Sequence, residues 1–164
     1  MAKRIKEGDI LEVATAKGLA YVQVTHRHPT MGQLIRVLPG FFSGRLNDFE
    51  ALAEQEHVFV TFIPASALVS QGIVERVATV AVPKSAKKFP LFRGVGTSPG
   101  FGKQVWWLWD GEQSWKIGNL NSDQVKLPVR GVWTDVTLIQ GIEQGYRPEN
   151  DPQGHGPYIP PEYR

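Results

Sequence analysis

The chain has 164 residues, of which 21% are charged and 41% hydrophobic, with a formal net charge of +2 and no cysteine. This length and composition predict one globular domain and exclude a disordered chain. The lack of cysteine excludes disulfides, thiolate zinc sites and thiol catalysis, and so small a net charge does not by itself indicate a nucleic-acid or membrane partner. The charged start is followed by no apolar run approaching the about 20 residues of a membrane helix, so we expect an unprocessed cytoplasmic protein.

Residues 8–26 predict the β-hairpin around which the fold is organised. Apolar side chains alternate along both arms, which predicts that one face is buried and that the hairpin is half-buried. Between the arms, Gly18 follows Ala16 and Lys17 and can supply the positive φ of a tight turn. A third strand over residues 32–38 then predicts a meander.

The middle of the chain predicts one helix and a central strand. Residues 41–45 are interpreted as an irregular loop, and Asn47 as the N-cap of a helix that ends near residue 55 or 56. Residues 58–63 (VFVTFI) are almost wholly apolar, which favours a strand covered on both faces, with partners at both edges. A turn or single helical turn that ends at Gly72 then leads to a further strand over 73–82.

The second half predicts a long loop, a hairpin and a closing helix. Residues 89–103 are rich in Gly, Pro and Phe and indicate an ordered loop around a short extended piece at 90–92. Residues 105–109 and 114–117 flank the turn dipeptide Asp110–Gly111, which predicts an aromatic hairpin. Apolar residues three apart from Trp133, followed by Gly145, indicate a helix.

These elements predict a mainly β domain with one or two short helices, built as a strongly bent antiparallel sheet or a small, partly open barrel. The domain covers residues 1–145. Residues 146–164 hold five of the twelve prolines and are predicted to be a tail that drapes over the domain or lacks order.

Two parts of the chain resemble a family of bacterial immunity proteins, family twenty-six of the polymorphic-toxin systems. The resemblance rests on glycines, an aspartate and core aliphatics near the start and on a later aromatic patch: Ile5, Lys6, Gly8, Asp9, Ile10, Leu11, Val13, Gly18, Ala20, Tyr21 and Val24, then residues 89–92 (FPLF) and 109–115. It covers about the first forty residues and that later patch. It implies an all-β fold and a protein that neutralises a partner toxin by binding it.

We therefore expect a binding protein that is not an enzyme, needs no cofactor and blocks a protein toxin by steric occlusion. Aromatic and arginine side chains dominate binding energy at interfaces. The predicted contact residues come from the 41–45 loop, the 89–103 loop and the tryptophan hairpin: Phe41, Phe42, Arg45, Arg93, Phe101, Trp106 and Trp107. Strand alternation places Trp107 and Trp109 on one face of the hairpin and Trp106 on the other, so that one face joins the core and the other is free.

An alternative function is nucleic-acid binding by a β-barrel module. Five basic residues are interleaved with phenylalanines over residues 84–103, as in platforms that bind single strands by phosphate contacts and base stacking: Lys84, Lys87, Lys88, Arg93 and Lys103. A solvated loop would show the same composition.

Two weaker patterns favour structural interpretations. His26 and His28 form an H-x-H pair that would present both imidazoles on one face of a strand, but further metal ligands are missing nearby, so no metal site is predicted. The glycines between residues 94 and 102 lack the ending of a phosphate-binding loop and precede a strand, which indicates a turned loop. No pair of carboxylates is placed for acid and base catalysis.

Overall fold

The computed structural model describes residues 4–97 and 104–164, and within them the chain forms eight strands, three α-helices and four short 3-10 turns. The strands are β1 (Asp9–Thr15), β2 (Gly18–His28), β3 (Gly32–Val37), β4 (Val60–Ile63), β5 (Val74–Thr79), β6 (Phe92–Thr97), β7 (Gln104–Trp109) and β8 (Ser114–Gly118). The helices are α1 (Phe49–Ala53), α2 (Ala65–Ser70) and α3 (Asp135–Gln144). The 3-10 turns cover Lys84–Ala86, Gln124–Lys126, Pro148–Asn150 and Pro161–Tyr163.

The strands form two antiparallel sheets, ordered β4-β3-β2-β1-β5 and β6-β7-β8. Neither sheet closes into a barrel over the described ranges. The prediction of a mainly β fold with short helices and a bent antiparallel sheet is confirmed.

The predicted hairpin and meander are present, with β2 at the centre of the five-stranded sheet. Leu11 lies opposite Val22, and Gly18 adopts a φ of 125° at the turn. The prediction of a half-buried hairpin is wrong for β2, because Tyr21, Gln23 and Thr25 are buried as well as the aliphatic face. Helix α1 and the segments after β3 and β5 cover that second face.

Strand β4 forms as predicted but lies at the edge of the first sheet and not at its centre. Its ladder partner is β3, and in the described part of the chain its outer edge carries one bridge, from Phe62 to Val132. Phe62 and Ile63 are nevertheless fully buried. An apolar sequence therefore indicates that both faces of a strand are covered, here by the second sheet and by α3. It does not indicate the position of the strand in the sheet.

Helices α1 and α3 start at residues whose side chains accept backbone N–H bonds, whereas α2 starts after Pro64 without such a cap. Asp48, not the predicted Asn47, caps α1 by accepting from Glu50 and Ala51. Thr134 caps α3, and Gly145 ends it in the left-handed conformation, as the sequence predicts. Of the turn or single helical turn predicted after residue 63, the helical alternative is present as α2.

The second sheet corrects the loop predicted over residues 89–103. Residues 92–97 form β6, which pairs with β7 in register from Phe92 opposite Trp109 to Thr97 opposite Gln104. The predicted aromatic hairpin is present as β7 and β8, and the Asp110 carboxylate closes its turn by accepting from the N–H groups of Glu112 and Gln113. Glycine-rich β6 has little intrinsic strand preference, so its pairing with β7 decides its conformation.

Three apolar clusters hold the sheets and helices together. One lies between the first sheet and α3, and a second lies under α1 around Tyr21. The third joins the two sheets through Leu34 and Phe62 on one side and Phe92 and Trp109 on the other. None of the helices in the described part of the chain is long and apolar enough to cross a membrane.

Candidate binding surface

Arg93 and Trp106, two of the predicted contact residues, are buried. Arg93 has no exposed surface, and its guanidinium lies 4.8 Å from the centre of the Trp106 ring. It donates to three backbone carbonyls, those of Leu127, Pro148 and Asp151, at 3.2, 2.9 and 2.7 Å. Burial lowers the pKa of Arg93. The prediction that these two side chains meet a partner is therefore wrong for the folded chain, where both hold the 146–164 tail.

The tail completes this attachment with its own polar contacts. The Asp151 carboxylate accepts from the Tyr146 hydroxyl at 2.6 Å and from the N–H groups of His155 and Gly156. Burial and the hydrogen bond to Asp151 raise the pKa of Tyr146. Gly154 crosses Trp106 so closely that a Cβ there would lie 2.9 Å from the ring. This part of the tail drapes over one face of the second sheet.

The 41–45 loop lies at the other end of β2. Phe42 exchanges two backbone hydrogen bonds with Leu19, Phe41 is half-exposed, and Arg45 bridges Glu12 and Glu75. The second sheet instead meets β2 at His28, nine residues further, which is about 30 Å at 3.3 Å per residue. The structure therefore does not bring the predicted contact residues together into one surface. Phe101 lies outside the described residues.

The basic residues of the alternative function are also divided. Lys84, Lys87 and Lys88 are exposed on and after the 3-10 turn that follows β5, whereas Arg93 is buried in β6 under the tail. Lys103 lies outside the described residues. The fold therefore leaves three lysines of the run on one exposed segment.

The two histidines hold the first sheet to the covering segments. His26 Nε2 lies 2.8 Å from the carbonyl oxygen of Lys87, and His28 Nε2 lies 2.8 Å from that of Gly111. Both rings also pack on the ring of Phe89. Residues 4–97 and 104–164 contain no group of three potential metal ligands. The pair therefore lies at the end of β2, where both side chains contact the covering segments.

The aromatic hairpin presents Trp107 to solvent, with 38% of its surface exposed. The other exposed contact residues of the prediction, Phe41 and Arg45, lie on the distant 41–45 loop. Its indole lies across β6, because a Cβ on Gly96 would be 2.8 Å from its Nε1 atom. Beside it, the stem of Arg130 lies over Gly94, and the Arg130 guanidinium lies 4.1 Å from the centre of the Trp109 ring. We call Gly94, Gly96, Trp107 and Arg130 the Trp107 platform.

No family model, curated protein or solved structure matches the chain. The function is therefore inferred from the contacts and charges of the Trp107 platform.

Alternation predicts which tryptophans share a face but not which are buried. Trp107 and Trp109 point to the same face, yet Trp109 is buried against Phe62 and Phe92 while Trp107 is exposed. On this face of the second sheet, Trp109 packs in the cluster with Leu34 and Phe62 of the first sheet, and Trp107 is not a member of that cluster. Trp107 lies two residues further out.

The platform combines planar groups with positive charge. Lys116 on β8 lies opposite Trp107 in the ladder and therefore on the same face, which Arg130 reaches from the outer edge of β6. The nearest acidic residues of this sheet are Asp110 and Glu112, in the turn between β7 and β8. A ring that packs on Gly96, with cations on the same face, suits a ligand that offers a flat or apolar group next to a negative one.

Arg130, Gly94 and Gly96 belong to the platform but are not among the predicted contact residues. Arg130 falls in an irregular segment, and it reaches the platform because residues 128–130 pair with the outer edge of β6 through Arg93. The signal that was present is the spacing of Gly94 and Gly96. Glycine at alternate positions of a strand leaves one face bare, and a large side chain from the next strand can then lie flat on it.

Proposed function

We propose that this protein is a non-catalytic binding protein of the immunity type, which neutralises a bacterial toxin by covering its functional surface with the Trp107 platform. The observation that carries the proposal is a half-exposed tryptophan that packs on Gly96 beside the exposed Arg130, whose stem covers Gly94. Tryptophan and arginine are the residues most enriched among interface hot spots. The resemblance of the first forty residues to immunity proteins supports the same class.

The geometry favours a partner that is already complementary to a rigid surface. The indole of Trp107 is backed by Gly96, and the guanidinium of Arg130 is held over Trp109, so neither group needs much ordering on binding. Pre-organised side chains reduce the entropy cost of association. With Arg130 and Lys116 on this face, the complementary toxin surface carries carboxylates beside an apolar side chain. Such a protein acts in the cytoplasm of the cell that makes the toxin.

The test uses two tryptophans of equal exposure on the same sheet. Trp107→Ala and Trp115→Ala each remove an indole that is about two-fifths exposed, at 38% and 41%, but ladder alternation places Trp115 on the face opposite Trp107. Each variant is produced in cells that also make a candidate toxin, chosen as any large secreted toxin that a neighbouring gene encodes. We expect Trp107→Ala to weaken toxin binding by about thirtyfold or more and to lose protection, because hot-spot truncation costs about 2 kcal/mol or more.

Trp115→Ala is the matched control for Trp107→Ala. Trp115→Ala should protect the cell like the unaltered protein, and both variants should keep its melting temperature within a few degrees. Equal protection by both variants would place the interface elsewhere. Failure of the unaltered protein to bind that toxin would overturn the immunity function itself.

Nucleic-acid binding is the second candidate, favoured by the same arrangement of a stacking ring with Arg130 and Lys116 on one face. Bases stack on exposed aromatic rings while cations contact the phosphates. A single-stranded oligonucleotide should then bind at low salt and be released steeply as salt rises. Trp107→Ala would weaken that binding, and no retention at low salt would exclude this function.

A further inference from the structure

A small cavity with a buried arginine in its wall lies between the first sheet and the segment that follows β5. It has a volume of about 140 Å³. Its polar lining comes from Thr25, Arg36 and His57 on one side and from Ser85 and Lys88 on the other. It is separate from the Trp107 platform, with which it shares no lining residue.

Arg36 is 1% exposed and makes contact only with neutral acceptors. Its Nε donates to Gln23 Oε1 at 2.9 Å, its Nη1 to the Gln55 carbonyl at 3.1 Å and its Nη2 to the Ala53 carbonyl. A guanidinium has five N–H groups, so two of them have no acceptor in these three bonds. Within the described ranges no carboxylate forms an ion pair with Arg36.

A buried charge without a counter-ion is costly, and the cavity is where a counter-ion has room. The nearest acidic group that acts on Arg36 is Glu54, which attracts it from a distance without contact. A negatively charged group in the cavity would meet the guanidinium directly. Charge-assisted hydrogen bonds of this kind are about twice as strong as neutral ones.

The mouth of the cavity is also positive and polar. Lys88 is exposed and lines it, and the exposed Ser85 supplies a hydroxyl. Lys87 faces a different groove, on the other side of Thr25, whose lining includes His26. Lys87 and Lys88 are therefore adjacent in the chain but line two different cavities.

We propose that this cavity binds a phosphate group, which accepts hydrogen bonds from Arg36 inside and from Lys88 and Ser85 at the mouth. The volume suits a phosphoryl group and little more, so any larger molecule that carries the phosphate must extend past Lys88 into solvent. This ligand site goes beyond the proposed function and does not depend on it.

The test follows the Arg36 Nε–H resonance by NMR while inorganic phosphate is titrated at constant ionic strength. We expect a saturable shift with a dissociation constant of about 1 mM or lower. Lys88→Ala should weaken binding by about fivefold, the effect of losing one partly exposed charge contact, whereas Lys87→Ala should leave it unchanged within about twofold. Both variants lose the same charge, so general electrostatic attraction would affect them equally.

Two outcomes would overturn the proposal: an Arg36 resonance that does not saturate with phosphate, or equal weakening by the two lysine variants. Phosphoserine serves as a second probe under the same conditions. Binding at least as tight as that of phosphate would identify the ligand as the phosphate group of a larger molecule. Binding of inorganic phosphate alone would identify the free anion.

Discussion

Phe62 tests whether the two sheets share one core. Its side chain is fully buried, stacks on Phe92 with ring centroids 5.3 Å apart, and also contacts Trp109 and His28 at 5.9 and 6.0 Å. Phe62→Ala removes one of the two buried side chains, Leu34 and Phe62, that the first sheet contributes to the apolar cluster between the sheets. Truncation of a buried phenylalanine costs about 3–5 kcal/mol from lost burial and the cavity that remains.

The magnitude can be divided further with a double-mutant cycle. The stacked pair of Phe62 and Phe92 should contribute about 0.5–1.5 kcal/mol beyond its buried area. Phe62→Ala, Phe92→Ala and the double variant should therefore be less than additive by about 1 kcal/mol. Urea unfolding gives each free energy, provided that the transitions keep the same slope.

Phe41→Ala is the control for Phe62→Ala, because it removes the same side chain from an exposed position. Phe41 is 39% exposed in a loop, so Phe41→Ala should change the free energy of unfolding by less than about 1 kcal/mol. If Phe62→Ala cost less than about 1 kcal/mol, the two sheets would not share a core. The account of why Trp109 is buried and Trp107 exposed would then also be wrong.

Two further predictions concern the platform and the charge contacts at the other end of β2. Gly96→Ala should displace the Trp107 indole, because the new Cβ would lie 2.8 Å from Nε1. In the control variant Gly94→Ala, the new Cβ meets the Arg130 side chain at an ordinary distance of 3.7 Å. The NMR resonance of the Trp107 indole N–H should therefore shift strongly only in Gly96→Ala, and equal shifts in the two variants would contradict this packing. The hydrogen bond from Arg45 lowers the pKa of Glu12, so the stabilisation is present above the unfolded pKa of about 4.3 and is lost as pH falls through the folded pKa. Melting temperatures measured between neutral and acidic pH should fall less in Arg45→Ala than in the unaltered protein, and parallel curves would show that the contact contributes nothing.

The sequence by itself determined the elements whose signals are local. Gly18 and the Asp110–Gly111 dipeptide indicate the two hairpins because few other residues adopt the required turn conformations. Thr134 and Gly145 do the same for α3 by satisfying the free N–H and C=O groups at its ends. Trp107 was recognised as a candidate contact because large aromatics are common at interfaces, although its exposure was not predictable.

Only the tertiary structure decided which side chains are covered and by what. Arg93 was predicted to be a solvent-facing contact, but three carbonyls from segments 34 to 58 residues away surround it. The edge position of β4, the strand conformation of β6 and the place of Arg130 over Trp109 are likewise set by distant partners. Alternation along a strand specifies which residues share a face, but burial of that face depends on segments that fold against it from elsewhere in the chain.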